Sequence, residues 1–223
     1  MSELDFHIRK LSFFSSLNPE QLNYVAKISV LKKHPEGSIL YYENDANNKV
    51  YFLVEGLLKV YKIDKYDNEI FLYHIYEDSM ISELTSIDEN VIHCFSNAEF
   101  TKDSIVLEVD FELFKNEFLS KNILNTEFIN VILNKTSQLH CVVNRELVFD
   151  ATAKVAFMIW DDLEIFNAKK RQEVSFMLHI QPETLSRVLK KLSRNKVIDI
   201  TNSKVTILNY DKLKMIYRGE ENG

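Results

Sequence analysis

The 223-residue chain is 46% hydrophobic and 27% charged, a balance that supports packed cores and excludes both a disordered chain and a low-complexity fibre; at about 150 residues per domain, two small domains are expected. The formal net charge is −6, but it is unevenly divided, with 14 Lys and Arg against 23 Asp and Glu in residues 1–149, and 13 against 10 in residues 150–223. No run approaches the roughly 20 apolar residues of a membrane span, and the opening MSELDFHIRK has no apolar h-region, so a cytoplasmic protein without membrane contact is expected.

In chain order, Phe14 to Ser29 reads as a short helix opened by Ser16 to Pro19, with Leu17, Leu22, Val25 and Ile28 apolar. From Leu31 to about Val109, runs such as SILYYEN, VYFLVEG, LLKVYKI and EIFLYHI recur every ten or so residues, with turn signals NDANN and DKYDN between them. That spacing predicts an antiparallel barrel or sandwich punctuated by Gly37 and Gly56. Asp110 to about Asp150 holds almost no turn residues, which predicts one long helix. Phe128, Ile132, Lys135, Leu139, Val142, Glu146 and Phe149 recur there at alternating steps of four and three, the repeat of a helix that pairs with another helix. A homodimer through Phe128, Ile132, Leu139, Val142 and Phe149 is the expectation; the plainer reading is a helix packed only on its own β domain.

Beyond Ala151 a helix from Ala153 to Ile165, a short helix from Gln172 to Leu178, a turn from His179 to Pro182 and a helix to Asn195 precede the alternating runs VIDI and KVTIL, a β-hairpin across TNS. Helix, helix, turn, helix, hairpin is the order of a winged helix-turn-helix. Within Phe166 to Lys196 the basic residues Lys169, Lys170, Arg171, Arg187, Lys190, Lys191, Arg194 and Lys196 face only Glu173 and Glu183 as acids. A local basic block on an acidic chain suits a polyanion, because attraction to phosphates follows the local field; a solvated helix face is the bland alternative.

In the helix from Pro182, Leu185, Val188, Leu189 and Leu192 form one apolar stripe, and Pro182 suits its first position. Glu183 and Arg187, four apart, lie side by side on the opposite face, flanked by Thr184 and Ser186. An Arg fork can bond guanine O6 and N7, and a Glu can accept from cytosine N4. Alone, the pair would be an ordinary surface ion pair; with the basic block and the hairpin, base reading is the stronger account.

The segment QEVSFMLHIQPETLSRVLKKLSRNKVI, with its PETLSRVLKKL core, resembles the recognition helix of the Crp/Fnr family of bacterial transcription regulators. The stretches FFSSLNPEQLNYV and PEGSILYYENDANNKVYFLVEGLLKVYK resemble that family's opening helix and β-roll. The resemblance implies an α+β chain with a cyclic-nucleotide-binding-like β-roll (a jelly roll) sensor domain over 1–110, a dimerisation helix and linker over 111–149 and a winged helix-turn-helix over 150–223. It implies a homodimer on a palindromic promoter site in double-stranded DNA, with RNA polymerase as a further partner. Carried over by position, Glu183, Ser186 and Arg187 touch bases and Thr184 the backbone, with Lys190, Lys191, Lys169, Lys170 and Arg171 as the accompanying basic residues. The Ser form of the motif resembles the Fnr branch, which implies a palindrome related to TTGAT. His179 stands where the family usually has a turn glycine and Gln181 where it has a capping Ser or Thr; His tolerates positive φ better than most residues.

The family's cyclic-nucleotide binders carry F-G-E-L followed by an Arg on the phosphate. Here MISELTSIDENVIHCF places Ser82 for the glycine, keeps Glu83 and Leu84, and has His93 or Cys94 where the Arg falls. Without that guanidinium an anionic phosphodiester loses its charge-assisted partner, so the expected signal is something other than cyclic AMP, at a weak pocket of Glu83, Leu84, His93 and Cys94. Two cysteines, Cys94 and Cys141, exclude a four-cysteine cluster. No cofactor is expected, although a haem could take His7, His34, His74, His93, His140 or Met80 as axial ligand. No Gly-rich phosphate loop, metal-spaced histidines or nucleophile elbow points to an enzyme. The competing reading is a small-molecule or cyclic-nucleotide-binding regulatory protein that acts through protein contacts.

Overall fold

The computed structural model describes residues 2–84, 86 and 88–218, in two compact units, residues 1–138 and 139–223; the end of the expected C-terminal domain, 219–223, lies outside the described residues. The sequence pattern missed α1 (Glu3–Lys10), which Ser2 opens by accepting from the Asp5 N–H at 3.1 Å while Asp5 accepts from the Ser2 N–H at 3.0 Å. The helix expected over 14–29 is shorter, α2 (Pro19–Lys27), capped by Asn18 and preceded by a 3₁₀ turn at Ser12–Phe14.

The strands that follow are β1 (Ser29–His34), β2 (Ile39–Tyr41), β3 (Ala46–Asn47), β4 (Lys49–Glu55), β5 (Leu57–Ile63), β6 (Glu69–Tyr76), β7 (Ser79–Met80), β8 (Ile92–His93), β9 (Asn97–Phe100) and β10 (Ser104–Asp110). They form two four-stranded antiparallel sheets, ordered β1-β10-β4-β7 and β2-β9-β5-β6, with β3 paired to β8. Leu53, Leu58, Val60, Phe100 and Val106, from strands of both sheets, form one buried cluster with Ile81, the residue after β7. The alternation that made these runs legible as strands buries one set of side chains between the sheets. A second cluster joins Phe52, Val50 and Leu107 to Ile8 and Val25 of the N-terminal helices and to Phe111, Phe114, Phe118 and Phe128.

The expected 40-residue helix is interrupted between the third and the fourth of those last phenylalanines. Helix α3 (Phe111–Phe114) continues as a π turn, Lys115–Leu119, and stops; Asn122 and Leu124 then take positive φ of 58° and 65° before α4 (Asn125–Val143) and a second π turn, Asn144–Val148. The expected dimer seam is corrected accordingly. Phe128 is buried in the core of its own unit, Val142 is half-buried, and Phe149 packs on the core of the second unit. Ile132 and Leu139 are exposed, together with Ile129, Leu133, Val143 and Leu147, the last at 81%. The apolar stripe that faces solvent is thus rotated by roughly a quarter turn from the predicted one at 100° per residue, because the helix is apolar on two faces.

The second unit holds α5 (Ala151–Asp161), α6 (Leu163–Ala168), α7 (Arg171–Met177), α8 (Pro182–Arg194), the hairpin β11 (Ile198–Thr201) and β12 (Lys204–Ile207), and α9 (Tyr210–Arg218). The helix expected over 153–165 divides at Asp162, whose carboxylate caps α6 by accepting from the Ile165 N–H at 2.9 Å. No described helix is long and apolar enough to cross a membrane.

Gly56 is the single residue between β4 and β5; its φ is +108°, and a β-carbon there would lie 2.8 Å from Ser104 Cα. Both the backbone and the space demand glycine. Gly56→Ala is expected to destabilise the first unit by about 1–3 kcal/mol, read as a lower urea midpoint.

Candidate nucleic-acid interface

Helix α8 begins at Pro182, preceded by Gln181 with an extended backbone and no side-chain cap bond. Leu185, Val188, Leu189 and Leu192 are buried. On the outer side Glu183, Ser186, Arg187, Lys190, Lys191 and Arg194 line one shallow depression. The structure brings together Glu183, Ser186, Arg187, Lys190 and Lys191 from the predicted set and adds Arg194, already visible in the basic block. Among the described residues Glu183 and Arg187 form no ion pair. Arg187 Nη2 donates instead to Thr184 Oγ1 at 3.3 Å, so the hydroxyl beside it, not the carboxylate, steadies the guanidinium. The face offers cations at helical spacing with one carboxylate and one hydroxyl toward its N-terminal end, a composition that can bond base edges and phosphates together.

The three basic residues before α7 differ among themselves. Lys170 is exposed, and its N–H donates to Glu173 Oε2 at 2.8 Å; Lys169 is half-buried. Arg171 departs from the expectation of a phosphate contact. Its guanidinium lies 4.8 Å over the Phe166 ring, and Nη2 donates to the Ser203 carbonyl in the hairpin turn at 2.6 Å; partial burial lowers its pKa. Asn202 and Ser203 both have positive φ, 52° and 64°, as a two-residue hairpin turn requires, and Arg171 satisfies a carbonyl of that turn. Asn167 ties the hairpin from a second side, donating to the Val205 carbonyl at 2.9 Å and accepting from the Val205 N–H at 2.8 Å.

The turn before α8 is held by two backbone bonds, His179 N–H to the Phe176 carbonyl and Ile180 N–H to the Ser175 carbonyl, both at 3.0 Å. His179 takes φ +51°, the left-handed conformation foreseen from its replacement of glycine. Its Nδ1 lies 2.9 Å from Glu146 Oε2. Glu146, placed by sequence in the dimer seam, also meets Arg145 Nε at 2.7 Å and Lys154 Nζ at 3.6 Å. Burial pushes its carboxyl up, but the bonds from Arg145 and His179 outweigh this and leave it below the usual carboxylate range.

In the first unit the weak pocket is a satisfied polar cluster. Glu83 accepts from Tyr73 Oη at 2.9 Å, the Phe95 N–H at 3.3 Å and Ser96 Oγ at 3.3 Å, while Ser82 Oγ accepts from the Tyr51 N–H at 2.9 Å. Leu84 packs against the core, His93 is exposed 3.8 Å from Glu89, and Cys94 is buried with its thiol pushed up to about 11, chiefly by burial; Thr85 and Ile87 of this segment lie outside the described residues. Lys135 of α4 donates to the Ile81 carbonyl at 3.1 Å, and burial brings its pKa down to about 8 against the opposing pull of Glu83. The donors an anion would need here already serve a carboxylate, and among the described residues no guanidinium joins them, so these residues do not fit a cyclic phosphodiester. Of the residues considered for haem, His7, His74 and Met80 are buried, His34 stacks on Phe100 at 4.6 Å, and His140 is exposed. No group of three or more His, Cys, Asp or Glu among the described residues is arranged to hold a metal ion.

Residues 31–121 match the cyclic nucleotide-binding domain family, and residues 166–216 match the Crp-like helix-turn-helix domain family. Among curated proteins none matches the chain by sequence. Solved structures that share the fold include a CooA mutant from Carboxydothermus hydrogenoformans, with a TM-score of 0.70 at 17% identity over 93% of this chain and 95% of that one. A Eubacterium rectale protein described as a Crp/Fnr-family regulator aligns with a TM-score of 0.66 at 17% identity over 94% and 99%. FixK2 from Bradyrhizobium japonicum aligns with a TM-score of 0.64 at 14% identity over 85% and 97%.

The two kinds of basic residue separate experimentally. Arg171→Ala is expected to lower the unfolding midpoint of the protein and leave the salt slope of DNA binding unchanged, whereas Lys190→Ala reduces that slope by about 1 and leaves the unfolding midpoint in place.

Proposed function

Because the chain belongs to the Crp/Fnr family of transcription regulators, with a cyclic-nucleotide-binding-like domain and a Crp-like helix-turn-helix, we propose that it binds a palindromic promoter site as a homodimer and answers a signal other than cyclic AMP. The observation that carries this reading is α8, whose buried stripe leaves Glu183, Ser186 and Arg187 on an open face backed by Lys190, Lys191 and Arg194. The Ser-Arg form of that helix favours a TTGAT-related half-site. Dimerisation is supported by the exposed apolar stripe of α4 and the turn after it, Ile129, Ile132, Leu133, Leu139, Val143 and Leu147, a solvent-facing hydrophobic surface that a second copy would cover. The signal is separated from cyclic AMP by Glu83, which takes up the Phe95 N–H and the Ser96 hydroxyl.

Selection of bound sites from genomic DNA tests the reading, and enrichment of a two-fold symmetric motif is the expected result. Arg187→Ala is expected to cost about 1–3 kcal/mol on the selected site and to relax base preference at one position of each half-site. Replacing an exposed stripe residue, Leu133→Glu, is expected to give monomers in sedimentation at micromolar concentration and to abolish cooperative binding to the full palindrome.

A further inference from the structure

The turn of a helix-turn-helix sets the angle at which the second helix leaves the domain, and here that turn carries a side chain in a backbone conformation that glycine adopts at no steric cost. His179 is three residues before Pro182, at φ +51°, and its imidazole reaches Glu146 at 2.9 Å. Glu146 belongs to the π turn that follows α4, and it is fixed in turn by Arg145 of the same segment and Lys154 of α5. Arg145 and Lys154 are themselves buried. The carboxylate is therefore held by two cations, and the third contact on it is the turn of the reading head. We propose that the Glu146–His179 contact is a positioning clamp that fixes the turn, and with it the N-terminal end of α8, to the end of the long helix.

The clamp rests on the DNA-binding reading and adds to it a residue outside the interface. A strained turn without the contact would let α8 pivot about His179–Gln181. Arg187 and Glu183 can bond base edges only in a narrow geometry, whereas lysine–phosphate attraction tolerates displacement. Loss of the clamp should therefore lower specific binding and spare non-specific binding, a distinction that general destabilisation of the domain would not produce. Among the charged groups on this contact, Arg145 and Lys154 approach Glu146, and Glu146 approaches His179.

Two substitutions separate the bond from the backbone. His179→Gly suits the positive φ and removes the imidazole; His179→Asn tolerates the same φ and keeps an N–H donor close to the position of Nδ1. Affinity is measured for the duplex that the wild-type protein enriches from a randomised palindromic pool and for a random-sequence duplex of equal length, with thermal unfolding followed for each variant. His179→Gly is expected to weaken the selected duplex about fivefold or more and to leave the random duplex within about twofold, and His179→Asn to bind both much as the wild type does. Should the glycine variant not fold, His179→Asp, which tolerates the same φ and sets a carboxylate against Glu146, is expected to give the same selective loss. A folded glycine variant that binds the selected duplex as tightly as the wild type, or one that loses both duplexes equally, overturns the clamp alone. A wild-type protein that enriches no duplex overturns the DNA-binding reading and the clamp with it.

Discussion

The exposed basic face of the helix-turn-helix domain depends on the burial of one stripe, Leu185, Val188, Leu189 and Leu192. Each of these side chains gains about 1.5–3 kcal/mol by leaving water, so turning α8 by one residue would expose part of the stripe and drive a guanidinium toward the core, where an unpaired charge is costly. The direction in which Arg187 and Lys190 point is thus set by residues on the opposite side of the helix. The same logic places the hairpin: Val197, Ile198 and Val205 join that core, and Arg171 and Asn167 then satisfy the polar groups of its turn and strand.

Where a segment had one reason to be apolar, its sequence could be read. The α8 stripe faces a single core, and the hairpin alternates about a single buried face, so their periods were clean. The long helix was harder because it answers to two demands, its own β-sheet through Phe128 and solvent through Ile129 and Leu133. Superposed, the two stripes mimic a 3.5-residue repeat centred between them. The break before α4 was also hidden, since Asn122 and Leu124 adopt positive φ without the glycine or proline that would have announced it.

Charge was less legible than hydrophobic pattern. Part of the basic block does lie on one exposed face of α8, but composition cannot distinguish a free arginine from one already engaged, as Arg171 is with Phe166 and Ser203. Glu146 shows the reverse case: at sequence level it looked like an interruption of a helical seam, and in the fold it gathers its neighbour Arg145, Lys154 of α5 and, from 33 residues on, His179. Only the departure at His179, visible as a histidine where the resembling family has glycine, hinted that the turn was special.

The Glu83 cluster has a consequence for any anionic effector. The carboxylate that occupies the Phe95 N–H and Ser96 hydroxyl is attached to the chain, so it competes at a high effective concentration that dilution cannot reduce. A free anion binds only during the fraction of time that Glu83 swings aside, and its apparent dissociation constant rises by the inverse of that fraction. The barrier to such ligands is then one of occupancy, built from a carboxylate already bonded to the donors of its own domain.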